Sequence, residues 1–158
     1  MNKMTEKIKR VLLGSVTFLT IFISVNTVIA QENNSSNKAK SPYSPIPLDS
    51  SGEIVDMLTL KDMPTGQGGF ARDYSVKLEK GDNLAIDLSS ENFDTIITLL
   101  APNGATVAEN DDGPDGTSNS LLFTRITETG NYIVRVRSFG ETGIGNFKLK
   151  VTKLIPVK

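Results

Sequence analysis

From Ile54 onward, apolar residues recur at every second position rather than every third or fourth. In YSVKLEKGDNLAIDL, Val76 and Leu78 share one side, and past the KGDN turn Leu84, Ile86 and Leu88 do the same. In NYIVRVRSF, Tyr132, Val134 and Val136 oppose Ile133, Arg135 and Arg137. In NFKLKVTKL, Phe147, Leu149 and Val151 oppose Lys148, Lys150 and Thr152. A period of two marks strands with one buried face. Turn residues stand between these runs, at Gly81, Asn103–Gly104, Gly113–Gly116, Gly130 and Gly140–Gly145. No stretch beyond the first thirty residues has sustained helical spacing. The pattern predicts an all-β fold, an antiparallel sandwich or barrel with one core.

FDTIITLL, Phe93 to Leu100, is apolar on both sides: Phe93, Ile97 and Leu99 against Ile96 and Leu100. It reads as a central strand. Asp94 then stands at the start of a buried strand, where an unpaired carboxylate is costly.

The first thirty residues depart from this pattern. A basic start, MNKMTEKIKR, leads into an uncharged run from Val11 to Ala30 ending in Val28-Ile29-Ala30. That is the form of a secretory signal peptide over residues 1–30, cut before Gln31. The hydroxyl and amide residues scattered through the run argue against a retained anchor, so no stable membrane insertion is expected after cleavage. Residues 31–52 are rich in Asn, Ser and Pro and read as a linker. The folded domain is expected over 53–155.

Charge and composition narrow the function. The chain holds 17 basic and 18 acidic residues; four bases (Lys3, Lys7, Lys9, Arg10) and one acid (Glu6) lie in the first thirty, leaving 13 and 17 beyond them, a net −4. Nucleic acid is therefore a poor partner. Without histidine or cysteine there is no Ser-His-Asp or Cys-His nucleophile, no usual zinc ligand and no disulfide. No enzyme is expected. GQGG, Gly66 to Gly69, lacks the Lys-Ser/Thr ending of a phosphate loop and reads as a flexible loop. Arg135 and Arg137, with Lys148 and Lys150 nearby, could form a basic stripe, although alternating solvated residues on an outer face are the ordinary reading.

FDTIITLLAPNGATVAENDDGPDGTSNSLL followed by TGNYIVRVRSFGETGIGNFKLKV resembles the bacterial pre-peptidase C-terminal domain. The likeness runs from about Ile54 to Val151. It is carried by Phe-Asp-Thr, Pro-Asn-Gly, Asn-Asp-Asp-Gly, Asn-Ser, Gly-Asn-Tyr and a closing Gly-x-Phe-x-Leu-x-Val. The resemblance implies a jelly-roll β-sandwich of about eight strands. It also implies a non-catalytic module of secreted proteases and other extracellular proteins. Relatives in bacterial collagenases bind collagen and use calcium; their collagen-binding residues find no match here.

ENDDGPDGTSNS, Glu109 to Ser120, packs four acidic residues into twelve. Pro102 and Gly104 suit a tight turn that pairs Ala101 with Ala105. Counting outward sets Leu99 opposite Val107, Ile96 opposite Asn110 and Asp94 opposite Asp112; a two-residue Asn-Gly turn would instead pair Asp94 with Gly113 and set Asp111 on its diagonal, and either register brings Asp94 near Asn110–Asp112. Like charges opposed across strands destabilise unless something compensates. Oxygen ligands on a glycine-rich loop suit calcium, with Asp94, Asn110, Asp111, Asp112, Asp115 and Asn119 as the ligand set. An arginine (Arg125, Arg135 or Arg137) or a hydrogen-bond network serves the same purpose, and plain solvation of a turn is the third reading. The loop is not an EF-hand, since Leu122 stands where the closing glutamate is required.

Together these features indicate a non-catalytic module, secreted or periplasmic, that recognises a protein or an extracellular polymer. The alternative is a structural or chaperone-like accessory domain acting on a separately encoded secreted protease.

Overall fold

The computed structural model describes residues 43–155, apart from Gln67 and Asp115. The signal peptide and the first part of the expected linker thus lie outside the described residues. Ten strands are present: β1 (Ile46–Pro47), β2 (Glu53–Leu58), β3 (Met63–Pro64), β4 (Phe70–Leu78), β5 (Asn83–Ser89), β6 (Thr95–Leu100), β7 (Thr106–Asn110), β8 (Ser120–Arg125), β9 (Gly130–Ser138) and β10 (Gly145–Leu154). No helix occurs among the described residues. One sheet runs β1-β4-β9-β6-β7, with β3 also on β4; the other runs β2-β10-β5-β8. The expected all-β sandwich is the observed one. Pairing is antiparallel throughout except between β1 and β4. The two extra strands beyond the expected number are the two-residue bridges β1 and β3.

The core lies between the sheets and follows the period-two pattern. Tyr74, Leu78, Ile97, Leu99, Val134 and Val136 enter from the larger sheet, and Leu58, Leu84, Ile86, Leu88 and Leu149 from the smaller. All are essentially inaccessible to solvent. Burying each such side chain stabilises the fold by about 1.5–3 kcal/mol. Phe147 sets its ring edge-on to Tyr74 and Phe93, with centroids 6.2 and 6.3 Å apart. β6 is a central strand between β9 and β7, which explains why Ile96 and Thr98 on its outer side are buried as well.

A polar tie crosses one side of the core. Arg72 of β4 donates to Asp56 of β2 at 2.6 Å and to Asp62 at 2.8 Å, and the Tyr74 hydroxyl donates to Asp56 at 2.8 Å. The partial burial of Arg72 disfavours its charge, but the hydrogen bonds and fields of Asp62 and Asp56 outweigh this and raise its pKa. Tyr74 is pushed up too, first by burial and then by Asp56. These contacts join β4 of the larger sheet to β2 of the smaller.

The segment expected as linker contributes to the domain. Ile46 and Pro47 pair alongside Tyr74 and Ser75, and the Leu48 amide donates to the Ser75 carbonyl at 3.0 Å while its side chain packs on the core. Proline-rich composition suits an edge strand as well as a linker, because only one side of such a strand needs donors. β1 and β3 between them cover parts of the outer edge of β4.

The candidate site: an acidic turn beside a cavity

The β6–β7 hairpin places the acidic loop. The Ala101 amide donates to the Ala105 carbonyl and the Gly104 amide to the Ala101 carbonyl, both at 2.8 Å. Gly104 takes the left-handed conformation the turn requires, with φ of +83°. The Ala101–Ala105 closure is as expected, but the register beyond it is not. A bulge falls between Leu100, paired with Thr106, and Leu99, paired with Ala108. Val107 is the extra residue, so Ile97 rather than Ile96 opposes Asn110, and Thr98 opposes Glu109. The shift reverses the side on which each later residue of β7 points.

Glu109 therefore reaches the outer face of the larger sheet. Thr98 donates to its carboxylate at 2.6 Å and Arg137 of β9 pairs with it at 2.9 Å. The Thr98 hydroxyl, followed by the Arg137 charge, holds the Glu109 carboxyl below its ordinary range. Thr98 also stands opposite Arg135, and Arg135 opposite Asp73. One polar row thus crosses four strands: Asp73, Arg135, Thr98, Glu109. At its far end Arg135 donates to Asp73 through Nε and Nη2, both at 2.8 Å, and the Tyr43 hydroxyl donates to Asp73 at 2.5 Å. Burial, then the Asp73 carboxylate, pushes the Tyr43 hydroxyl up to about 12. The Asp73 hydrogen bonds likewise raise Arg135.

The second of the three readings of the acidic loop, an arginine or hydrogen-bond network, is present in both forms: the arginine for Glu109, the hydrogen bonds for Asn110. Its side-chain amide donates to the carbonyls of Asp112 and Leu121, both at 2.7 Å, and the Leu121 amide donates to the Asp112 carbonyl at 3.2 Å. These bonds join the end of β7 to β8, linking the two sheets. Beside them Thr95 and Ser120 share a buried hydroxyl contact of 2.6 Å, and the Thr95 amide donates to the Ser118 carbonyl at 3.0 Å.

The described residues of the calcium expectation are not gathered at one point. Asp94 is exposed just before β6, and its carbonyl accepts the Phe139 amide at 2.8 Å. Its carboxylate meets water rather than a buried strand, so the expected cost does not arise. The Asn119 side-chain oxygen accepts the Ser90 amide at 3.0 Å. Asp111 and Asp112 are exposed. Asp115 lies outside the described residues. Among the described residues no three acidic side chains gather as metal ligands. As arranged, the described members do not fit a calcium ion.

Two further motifs take their places in the fold. Arg135 and Arg137 form no basic stripe with Lys148 and Lys150, because β9 and β10 belong to different sheets. The lysines face outward on the smaller sheet, where Lys148 pairs with Glu53 at 2.7 Å. GQGG closes the β3–β4 hairpin: the Thr65 amide donates to the Gly69 carbonyl at 3.1 Å and the Thr65 hydroxyl to the Gly68 carbonyl.

Sequence reasoning did not reach Ser138 or Phe139. Both line a cavity of about 450 Å³ with Glu109, Asn110, Asp111 and Arg137. The signal available was the alternation in NYIVRVRSF, which sends position 138 inward after Val134 and Val136.

Residues 71–138 match the family model of the bacterial pre-peptidase C-terminal domain. The fold is similar to that of the pre-peptidase C-terminal domain of a collagenase from Bacillus anthracis, with a TM-score of 0.53 and 15% identity over 70% of this chain and 97% of that one. Lower likenesses reach PliG, a periplasmic inhibitor of g-type lysozyme, from Aeromonas hydrophila (TM-score 0.45, 12% identity, 69% of this chain and 96% of that one). PliG of Salmonella Typhimurium is similar at a TM-score of 0.43 and 11% identity, over 70% of this chain and all of that one. Likeness at that level carries no argument about mechanism. Among curated proteins no sequence matches this chain.

Proposed function

We propose, on the premise that this chain carries a bacterial pre-peptidase C-terminal domain, that it acts outside the cytoplasm as a non-catalytic module that binds a protein. The observation that supports this most is the outer face of the smaller sheet. Val55 and Met57 of β2 and Phe123 of β8 are 73%, 48% and 65% exposed there. The charged residues Lys148, Lys150 and Asp87 lie between them on β10 and β5. Apolar anchors set around charged groups suit protein recognition, in which apolar burial supplies energy and charge supplies orientation.

The absence of catalysis is part of the proposal. Carboxylates that could serve as acid or base on the larger sheet, Asp73 and Glu109, are engaged by Arg135 and Arg137. A nucleophile needs an adjacent base, and the chain has no histidine to supply one. Export rests on residues 1–30, whose basic start and uncharged run have the form of a signal peptide.

The test is capture of partners from the culture medium by the purified protein, with Val55→Ser and Phe123→Ser variants alongside. A partner held by the wild type and released by both variants, neither of which changes the far-ultraviolet circular dichroism, is the expected result. Equal capture by all three removes the smaller sheet from recognition. A captured secreted protease would favour the accessory-domain version of this reading over a polymer-binding one.

A further inference from the structure

We propose that two copies of this chain pair through the outer edge of β8, antiparallel about a two-fold axis at Thr124, so that their smaller sheets join into one. The edge strand itself carries the argument.

The ladder between β8 and β5 fixes which backbone groups face outward. The Ile126 amide donates to the Asp82 carbonyl at 2.8 Å, and from there Arg125 stands opposite Asn83 and Phe123 opposite Ala85. In an antiparallel pair every second residue bonds to a given neighbour. Ile126, Thr124, Leu122 and Ser120 therefore turn their backbone groups to β5, and Arg125, Phe123 and Leu121 turn theirs away. Leu121 is already answered: its amide donates to the Asp112 carbonyl, and its carbonyl accepts the Asn110 side chain. The Phe123 and Arg125 backbone groups have no such partner among the described residues. A row of open donors and acceptors on an edge is a template for another strand.

The other edges are blunted. β4 is covered by β1 and β3, and β7 carries the bulge at Val107. On β2, Ser51 Oγ accepts the Glu53 amide at 3.1 Å and donates to the Glu53 carbonyl at 3.3 Å, while Asp56 Oδ1 accepts the Met57 amide at 2.8 Å. β8 past Leu121 has no comparable device.

A second copy of β8 answers what is open. With the axis at Thr124, Phe123 of each copy lies opposite Arg125 of the other. Each such pair exchanges both amide–carbonyl bonds, four in all, and no group already engaged is asked to serve. An axis at Phe123 would instead set Arg125 against Leu121, whose groups are taken. The side chains fit the same register. Phe123 is 65% exposed and Arg125 is exposed without an ion pair among the described residues. Both point to the outer face, so each guanidinium meets the other copy's phenyl ring, an attractive pairing that occurs twice. A two-fold contact must be complementary to itself, and this one is in backbone and in side chain. The contact is small and belongs with weak interfaces below about 1,200 Å².

The experiment is sedimentation of the purified protein at low salt, from about 10 μM to about 1 mM, with amide hydrogen exchange recorded at both ends of the range. A monomer–dimer equilibrium is expected, with exchange at Phe123 and Arg125 slowed as the dimer fills. Phe123→Glu should still dimerise, because each glutamate then faces an arginine. Phe123→Arg should dimerise at least about tenfold more weakly than Phe123→Glu, because arginine then faces arginine twice. Val55→Ser, on the far strand β2, should dimerise like the wild type, which separates this contact from the partner-binding face proposed above. The proposal is overturned if the protein is monomeric throughout, which leaves the edge to a strand of another protein. Equal losses in Phe123→Glu and Phe123→Arg also overturn it, since apolar clustering would then hold the copies together. So does exchange at Phe123 and Arg125 that ignores concentration.

Discussion

Arg135 grips Asp73 through two hydrogen bonds of 2.8 Å between directly opposed positions on β9 and β4. The Asp73 side chain is almost wholly buried, while Arg135 keeps an edge in solvent. A bidentate pair of this kind fixes orientation as well as charge. It also ties down the segment before β1, because Tyr43 donates to the same carboxylate.

Replacing Asp73 with Asn should therefore destabilise the domain by about 1–3 kcal/mol, the range for losing hydrogen bonds to a charged group. Tyr43→Phe should cost about 1 kcal/mol, as expected for one hydrogen bond. Urea unfolding of the two variants measures both. A Tyr43→Phe loss as large as that of Asp73→Asn would mean the tyrosine, not the arginine, holds the carboxylate.

Leu99 is fully buried at the centre of the larger sheet. Leu99→Ala should lower stability by about 2–5 kcal/mol through lost transfer energy and the cavity left behind. A loss below about 1 kcal/mol would indicate that the site collapses or that the strand is misplaced.

Asn110→Ala removes both donors that join the end of β7 to β8 and should cost about 1–2 kcal/mol, since the carbonyls it leaves can partly turn to water. Asn110→Asp should be worse, because it sets a carboxylate against two carbonyl oxygens. Thermal melting ranks the two. Equal melting of Asn110→Asp and wild type would show that the amide makes no difference.

A calcium ion at Asp94, Asn110, Asp111, Asp112, Asp115 and Asn119 is tested by melting the protein in calcium and in chelator. We expect equal midpoints, because the Asn110 and Asn119 side chains already hold backbone groups. A higher midpoint in calcium that disappears in Asp112→Asn would place the ion there and displace the hydrogen-bond account.

The fold should lose stability in acid. Asp56 is partly buried, which opposes its charge, yet the Met57 amide, the Tyr74 hydroxyl and Arg72 lower its pKa overall. Glu109 is lowered by Thr98 and then by Arg137. Both carboxyls have folded values below their unfolded ones. Their contribution is complete above the ordinary carboxylate range near about 4 and is lost as pH falls through the lowered folded values. Urea midpoints recorded from pH 7 down to pH 2 should decline in that window. Glu109→Gln and Asp56→Asn should each flatten the decline. An unchanged slope in both would assign acid sensitivity to other groups.

Much of the fold was legible in the alternation of YSVKLEKGDNLAIDL, NYIVRVRSF and NFKLKVTKL. Phe93, Ile97, Leu99, Tyr132, Val134, Phe147 and Leu149 are buried as that pattern predicts. The candidate site was less legible. Counting residues from the Ala101–Ala105 closure assumes an unbroken ladder, and the bulge at Val107 breaks it. One extra residue moved Glu109 to the outer face and brought it to Arg137, with which it is not close in sequence.

What this sequence determines by itself is what repeats at short range. Period-two burial selects strands, glycine and proline place the turns, and the missing histidine and cysteine remove whole classes of chemistry. Those properties depend on each residue and its near neighbours. What only the tertiary structure decided is which strands share a sheet and in what register. Arg135 and Arg137 look equivalent along β9, yet one pairs with Asp73 across one neighbouring strand and the other with Glu109 beyond the other neighbour. Lys148 and Lys150 follow the same alternation but lie on the other sheet. Partners of that kind come from packing between segments distant in the chain, which no local pattern encodes.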